Sequence, residues 1–255
     1  MKPRLRIAVA RTPDGGEMEL FQHDRNFSIS INGQELMNSL HHESELELAH
    51  LGCGHLTDHK SPTVLIGGLG MGFTLRQTLD MLNPQAQVVV GELLDPVIEW
   101  NREFFSQLNG NALSDKRVDV QTGDVVSLIS RSKNKFDAIM LDIDNGPAAI
   151  TNSYNRHLYT QEGLQTCRQA LRKQGVLAVW SAEPNKKFEK LLMTCRFYVT
   201  RFRVPAYLGS KTQSRFIFVA SEDKKILPPG GGKLRVQTRS KKGAKGERTK
   251  IRKKR

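Results

Sequence analysis

The sequence predicts an α/β protein with a mostly parallel central sheet and helices on both faces. Three observations support this prediction. From residue 61 onward, short apolar runs alternate with helical patterns, which is the order of repeated strand and helix units. Several of these runs are continuously apolar, as expected of strands covered on both faces. The last two predicted strands are joined by a short turn, so the sheet is expected to end in an antiparallel hairpin.

The first 60 residues lack this alternation and are predicted to form a separate N-terminal region. Strands at 5–10 and 27–31, with turns at 13–16 and 32–33, indicate a small β-meander, and a helix follows over 39–51. The main domain is predicted to span 61–221. Its strands are expected at 64–67, 87–91, 117–121, 136–142, 175–180, 197–204 and 215–220, with helices to residue 82 and at 96–108, 124–131, 160–172 and 186–194. A seven-stranded sheet of this kind is typical of the Rossmann-like, methyltransferase-type fold.

A glycine-rich turn after the first strand of the main domain indicates a nucleoside site. Residues 64–76 read VLIGGLGMGFTLR, in which close approach of a ligand is allowed by Gly68, Gly70 and Gly72. Glu92 ends the next strand, 20 residues after Gly72, where a carboxylate can accept both ribose hydroxyls. Phe73 stands where a dinucleotide fingerprint needs its last glycine. A nucleoside without a pyrophosphate is therefore predicted.

Acidic residues follow two further strands at the edge where open parallel sheets bind ligands. Asp124 follows the third strand and is predicted to accept a hydrogen bond from the exocyclic amine of adenine. Asp142 ends the apolar run FDAIMLD, where an acid needs partners, so a functional role is favoured. Asp144 fits a functional role and an ordinary Asp-Asn-Gly-Pro turn equally well. The reacting group is expected beside Asp142 and Asp144.

Composition favours a cytoplasmic globular protein. The chain has no apolar run of 18 residues, and its first residues contain too short an apolar stretch for a signal peptide. Its three cysteines are widely separated, so reduced thiols are expected rather than disulfides. Cys53, His55 and His59 have the residue types of a metal site, but no second cluster of ligands accompanies them, and no metal is predicted.

The net charge of +13 is concentrated in residues 222–255. This segment holds 14 of the 39 basic residues and three of the 26 acidic ones, which leaves the rest of the chain nearly neutral. Its blocks of like charge and few apolar residues predict a disordered tail. Two roles stay open for it: a solubilising segment, or an arm that holds RNA or another polyanion through salt-dependent phosphate contacts.

Five blocks over residues 27–220 resemble, in the same order, the spermidine/spermine synthase (polyamine aminopropyltransferase) family. They are IGGLGMGFTLR, VVVGELLDPVIEWNR, DKRVDVQTGDV, FDAIMLDIDNGPA and LYTQEGLQTCRQALRKQGVLAVWS. The resemblance implies that Glu92 holds ribose, that Asp124 holds the adenine amine and that the nucleoside lies on the three glycines. It also implies that Asp142 and Asp144 approach an amine substrate.

The resemblance implies a transferase of polyamine biosynthesis. A neutral amine would attack the carbon beside the sulfonium of decarboxylated S-adenosylmethionine, and methylthioadenosine would leave. Carboxylates suit this reaction because they bind the distal ammonium of a polyamine and accept a proton from the attacking nitrogen. Family members commonly dimerise through the N-terminal region, which leaves a homodimer open. No membrane partner is expected.

The chain departs from the family pattern in three places. Gly70 and Met71 stand where the family's turn usually has an Asp that contacts the cofactor's amine. The family's D-x-x-D spacing is shortened at Asp142 and Asp144. The N-terminal residues that close on the polyamine have no clear counterpart, with only these nearby: Gln34, Glu43 and Glu45.

Two alternatives to aminopropyl transfer follow from these departures. One is a methyltransferase of the same fold that uses intact S-adenosylmethionine, on RNA or a ribosomal partner recruited by the tail. The other is a binding protein that retains the pocket without catalysis.

Overall fold

The computed structural model describes residues 3–13, 15–143, 147, 155–207, 209–210 and 213–232. Asp144 and the basic tail from residue 233 lie outside the described residues. None of the helices in the described part is long and apolar enough to cross a membrane.

The N-terminal region is an antiparallel four-stranded sheet followed by a helix, as the sequence predicts. The strands pair in chain order and are β1 (Leu5–Arg11), β2 (Glu17–His23), β3 (Asn26–Ile31) and β4 (Gln34–Asn38). Helix α1 (Glu43–Cys53) begins four residues later than predicted. The reason lies at Ser39, whose Oγ accepts a hydrogen bond from the Phe27 N–H and whose own N–H donates to the Phe27 carbonyl, at 2.9 Å each. Ser39 is therefore still tied to β3.

The main domain confirms the predicted seven-stranded sheet. Its strands are β5 (Thr63–Gly67), β6 (Gln87–Glu92), β7 (Val118–Thr122), β8 (Phe136–Leu141), β9 (Leu171–Ser181), β10 (Tyr198–Pro205) and β11 (Ser214–Ser221). Its helices are α2 (Phe73–Met81), α3 (Asp95–Glu103), α4 (Ser106–Asn109), α5 (Val125–Ser130), α6 (Gln161–Ala170) and α7 (Lys186–Thr194). The strand order is β10-β11-β9-β8-β5-β6-β7, with β5 to β9 parallel and the C-terminal hairpin antiparallel.

The helix predicted over 96–108 is divided into α3 and α4. Between them lies Phe105, which is fully buried and whose ring centroid lies 5.3 Å from that of Phe27. This contact joins the N-terminal sheet to the main domain.

Apolar side chains cover both faces of the main sheet. Helices α1, α2 and α3 pack on one face together with the N-terminal sheet, and α5, α6 and α7 pack on the other. Helix α1 contacts β8, β9, β10 and β11. The N-terminal region therefore reaches the half of the sheet that lies beyond the glycine turn.

The described structure continues beyond residue 221, the predicted end of the main domain. Arg168 forms an ion pair with Glu222 at 2.8 Å, and Ile226 and Leu227 pack partly buried against the core. The Gly232 N–H donates to the Arg201 carbonyl of β10 at 2.9 Å. Residues 222–232 thus pack on the main domain.

Candidate functional site

The turn between β5 and α2 contains three glycines with positive φ. Packing within the protein explains two of them. A Cβ on Gly68 would lie 2.3 Å from the backbone oxygen of Asp142, and a Cβ on Gly72 would lie 2.6 Å from Asn109 Nδ2. A Cβ on Gly70 would meet nothing closer than 3.7 Å. Gly70 is therefore the glycine with open space beside it.

Glu92 lies beside this turn, at the end of β6, with 8% of its surface exposed. Its Oε2 accepts the Leu69 N–H at 2.8 Å and its Oε1 accepts the Leu94 N–H at 2.9 Å. Burial raises the pKa of Glu92, while hydrogen bonds from backbone N–H groups oppose the rise. Each carboxylate oxygen has a second lone pair, so the group can still accept hydroxyl donors.

Two buried asparagines, for which the sequence predicts no role, donate hydrogen bonds to the backbone of the turn. Asn101 Nδ2 donates to the Gly70 carbonyl at 2.8 Å, and Asn109 Nδ2 donates to the Met71 carbonyl at 3.2 Å. Asn109 Nδ2 also lies 2.8 Å from Asn101 Oδ1. The backbone at the position where the family has an Asp is thus fixed by side-chain amides.

Asp124 lies at the end of β7, on the strand next to Glu92. The Gly123 N–H donates to the Glu92 carbonyl at 2.8 Å, which joins the two strand ends. Asp124 also caps α5: Oδ1 accepts the Val126 N–H at 2.9 Å and Oδ2 accepts the Ser127 hydroxyl at 3.3 Å. The cap gives this residue a structural role, and its contact with adenine stays a prediction.

Asp142 lies at the end of β8, across the turn from Glu92. Its N–H donates to the Gly67 carbonyl at 2.8 Å, and its Oδ2 accepts the Thr74 hydroxyl at 3.1 Å. Burial raises the pKa of Asp142 to about 6, and the Thr74 hydrogen bond opposes the rise. An acid with this environment retains its proton closer to neutral pH than an ordinary aspartate does.

A second carboxyl group, Glu45 of α1, lies close to Asp142. Thr74 connects the two residues, because its Oγ1 is also 3.4 Å from the Glu45 carbonyl. Burial raises the pKa of Glu45 to about 8, with a further rise from the charge of Asp142. The Ser44 hydroxyl, 2.8 Å from Glu45 Oε2, and the charge of Arg215 oppose this rise. We call Glu45 and Asp142 the acid pair.

Two ring stacks involve the histidines that precede α1. The His42 ring stacks on Phe73 with a centroid distance of 4.2 Å, directly before α1 and at the start of α2. The His41 ring stacks on that of Tyr207 at 5.0 Å.

The acid pair differs from the pair of carboxylates that the sequence predicts. The sequence pattern pairs Asp142 with Asp144, which lies outside the described residues, and assigns Glu45 no role. Glu45 lies close to Asp142 because α1 docks on the main sheet, and no local pattern specifies that docking. The helical pattern around Glu45 is the one feature of the sequence that bears on its position.

Among the described residues, no group of three His, Cys, Asp or Glu side chains is arranged to hold a metal ion. Cys53 is fully buried, with its Sγ 3.8 Å from Met140 Sδ. Burial raises the pKa of the Cys53 thiol to about 12, which disfavours the thiolate that would bind a metal.

A family model described as the spermine/spermidine synthase domain matches residues 41–225, which include both members of the acid pair. The chain belongs to the spermine/spermidine synthase family. This confirms the resemblance stated from the five sequence blocks.

Curated relatives of this chain carry the name polyamine aminopropyltransferase. The protein from Saccharolobus solfataricus is 29% identical over 161 residues, which cover 63% of this chain and 50% of that protein. The protein from Prochlorococcus marinus subsp. pastoris is 31% identical over 135 residues, or 52% and 45% of the two chains. The chain thus spans about half the length of the curated relatives it matches.

Solved structures of spermidine synthases have the same fold. A spermidine synthase in complex with the transition-state analogue AdoDATO matches with a TM-score of 0.69 and 21% identity, over 88% of this chain and 77% of that one. The spermidine synthase from Thermotoga maritima matches with a TM-score of 0.67 and 20% identity, over 88% and 76%.

Proposed function

We propose that the protein transfers an aminopropyl group from decarboxylated S-adenosylmethionine to an amine. The observation that carries this proposal is the acid pair, because a cationic amine requires carboxylates and a neutral attacking nitrogen requires a base. The pair lies at the end of β8, next to the turn that offers a nucleoside site. The names of the curated relatives support aminopropyl transfer over methyl transfer.

The donor side of the proposed site consists of the glycine turn, Glu92 and Asp124. Glu92 binds the ribose hydroxyls, Asp124 binds the adenine amine, and Gly70 leaves room for the nucleoside. Gly68 and Gly72 give the turn its shape. When bound, the donor supplies a carbon activated by its sulfonium.

The acceptor side consists of the acid pair, and a role for Asp144 beside it stays a prediction from the sequence. Because both members of the acid pair have raised pKa values, the pair retains a proton near neutral pH. An arriving ammonium favours release of that proton, since it stabilises the charged carboxylates. One carboxylate then accepts a proton from the amine as the nitrogen–carbon bond forms and the carbon–sulfur bond breaks. Methylthioadenosine leaves, and the product retains the new aminopropyl group.

Replacing the proposed base tests the reaction. We expect Asp142→Asn to lower the release of methylthioadenosine by about 100-fold or more, the order expected for loss of a general base. Affinity for the donor, measured by calorimetry, should remain nearly unchanged. Asp119→Asn, on β7, is the matched control and should keep full turnover. Unchanged turnover of Asp142→Asn would refute the assigned role.

Comparing the two forms of the donor tests the reaction class. We expect calorimetry to show tighter binding of decarboxylated S-adenosylmethionine than of the intact form. Tighter binding of the intact form, together with methyl transfer, would favour the methyltransferase alternative. Donor binding without release of methylthioadenosine for any amine would favour the binding protein without catalysis.

A further inference from the structure

Three side chains follow one another across the strand ends on the side of Asp142 that faces away from the nucleoside turn. Asp142 directly follows β8 and lies level with Trp180 of β9, because the last residue of β8 pairs with the residue before Trp180. Ile217 of β11 pairs with Trp180, and Arg215 lies two residues before Ile217 and therefore on the same face. Helix α1, which carries Glu45, packs on this face, and Asp142 is also on it because it accepts a hydrogen bond from α2.

Arg215 is a half-buried cation beside the acid pair. Its guanidinium carbon lies 5.9 Å from the Trp180 ring centroid, and the guanidinium donates to the Ser214 carbonyl at 3.3 Å. Its positive charge acts on the carboxyl group of Glu45, whose pKa it lowers. The acid pair and Arg215 therefore form one group of two acids and one base. When both acids are ionised, this group has one uncompensated negative charge, which a single ammonium balances.

The order of the strands places Arg215 beyond Asp142 as seen from the donor side. Neighbouring strands lie about 4.8 Å apart, so across the sheet β9 is about 5 Å and β11 about 10 Å from β8. The glycine turn and Glu92 lie on the opposite side of β8, at β5 and β6. An acceptor with its attacking nitrogen at Asp142 would therefore extend over β9 towards β11.

Acceptors of different length would place their charges at different points along this direction. An extended chain advances about 1.2 Å per bond, so 1,4-diaminobutane spans about 6 Å and its N-(3-aminopropyl) derivative, a triamine, spans about 11 Å. The second ammonium of the diamine would lie near Trp180, whose ring attracts a cation, and below Glu45. The terminal ammonium of the triamine would lie at Arg215, where two positive charges repel each other.

We propose that Arg215 determines which amines are acceptors, because its charge admits a diamine and excludes a triamine that ends in an ammonium. The inference rests on the proposed function, since it takes the acid pair as the place of the attacking nitrogen. Aminopropyl transfer to 1,4-diaminobutane yields this triamine, so the product of one transfer is a poor acceptor for the next. Each acceptor then receives a single aminopropyl group.

Three amines that differ in length and terminal charge test the inference. They are 1,4-diaminobutane, its N-(3-aminopropyl) derivative and N-propyl-1,4-diaminobutane, which is nearly as long as the triamine but lacks its terminal ammonium. We expect calorimetry in the presence of methylthioadenosine to show that the triamine binds at least about 10-fold more weakly than the other two amines. Because charge repulsion is screened by salt, added salt should reduce this difference.

Variants of Arg215 test the origin of the difference. In Arg215→Gln the affinity for the triamine should rise by about 10-fold, and its KM should fall equally with little change in kcat. Arg215→Lys keeps the positive charge and should keep the preference for the diamine. Arg203→Gln is the control, because Arg203 is an exposed arginine of the same hairpin that contacts the Ser214 hydroxyl at 2.8 Å. It should show the preference of the wild type.

Three results would overturn the inference. They are equal affinity of the wild type for diamine and triamine, an unchanged difference in Arg215→Gln, and weak binding of N-propyl-1,4-diaminobutane, which would show that shape excludes the longer amines. If Arg215→Gln does not fold, the salt dependence of the wild type decides instead, and a difference that is constant with salt overturns the inference.

The outcomes also separate this inference from the proposed function. Equal release of methylthioadenosine with diamine and triamine leaves aminopropyl transfer standing and refutes the role of Arg215. Weaker binding of the triamine through Arg215, without release of methylthioadenosine for any amine, refutes the proposed function and leaves the charge selection standing. Binding of none of the three amines refutes both.

Discussion

At the scale of single residues, the protein brings two carboxyl groups into one poorly solvated place. Burial is the largest cause of the raised pKa of both Glu45 and Asp142, and their mutual repulsion adds to the pKa of Glu45. Such groups are costly to the fold in their charged forms. A cationic substrate would stabilise these charged forms, so the same arrangement that lowers stability suits the proposed binding of an amine.

Amine binding should depend on pH through the acid pair. As the pH rises from about 6 to about 8, the empty pair loses its proton and binds an ammonium more readily, so affinity for the acceptor should increase. Calorimetry in buffers of different ionisation enthalpy should show proton release on binding at pH 7. In Glu45→Gln both the pH dependence and the proton release should be smaller. A wild-type affinity that is constant across this range would contradict the assigned environment.

Stability should show the opposite sign of pH dependence. Glu45 has an ordinary pKa near 4.5 and a folded pKa of about 8, so the folded state binds this proton more tightly than the unfolded state does. Glu45 therefore lowers the free energy of unfolding at pH values above 4.5, and this destabilisation grows until about pH 8. We expect Glu45→Gln to melt several degrees above the wild type at pH 8 and close to it at pH 5. Glu43→Gln is the control and should show no such trend.

At the scale of elements, the turn between β5 and α2 divides its glycines by role. Gly68 faces the backbone of Asp142, Gly72 faces two asparagine side chains, and Gly70 faces open space. A glycine motif therefore does not by itself tell which glycines contact a ligand. The residues that pack against the turn must be known as well.

Alanine substitutions should separate these roles. Gly68→Ala would place a Cβ 2.3 Å from a backbone oxygen, so we expect a large loss of thermal stability or failure to fold. Gly70→Ala should fold at a cost of about 1–2 kcal/mol, since its φ is positive but its surroundings are open. Its donor affinity should fall in calorimetry. Donor affinity unchanged in a folded Gly70→Ala variant would show that the nucleoside lies elsewhere.

The elements could largely be predicted from the sequence, whereas half of the site could not. Continuous apolar runs determine the strands β5, β6 and β8, and Glu92 and Asp142 could be located because each ends such a run. Glu45 and Arg215 reach the site through the docking of α1 and the register of the C-terminal hairpin. Both depend on contacts between residues that are far apart in the sequence. The late start of α1 at residue 43 likewise follows from a contact between Ser39 and Phe27 that spans 12 residues.

At the scale of the whole molecule, most of the net positive charge lies in residues 222–255, and the first 11 of these residues pack on the main domain. The described body ends with residues 222–232 packed on β10, and the remaining basic tail belongs to no part of the proposed reaction. Its attachment to RNA or another polyanion, like the homodimer, stays a prediction.

Deleting residues 233–255 tests this separation. We expect the melting temperature to change by less than about 2 °C, because the deletion leaves the contacts of residues 222–232 in place. Retention on immobilised RNA at low salt should disappear, while release of methylthioadenosine is kept. Deleting 222–255 instead should lower the melting temperature, because it also removes the Arg168–Glu222 ion pair and the contacts of Ile226 and Leu227. Equal effects of the two deletions would contradict a boundary near residue 232.

The acid pair has one member on each side of the junction between the two parts of the chain. Glu45 arrives on the helix that follows the N-terminal sheet, and Asp142 arrives on a strand of the main domain. A fragment that retains only the main sheet would therefore keep Glu92 and Asp124 of the proposed donor side and lose Glu45 from the proposed acceptor side. If the proposed function holds, donor binding should return during refolding once the main domain has formed, and turnover should return only after α1 has docked.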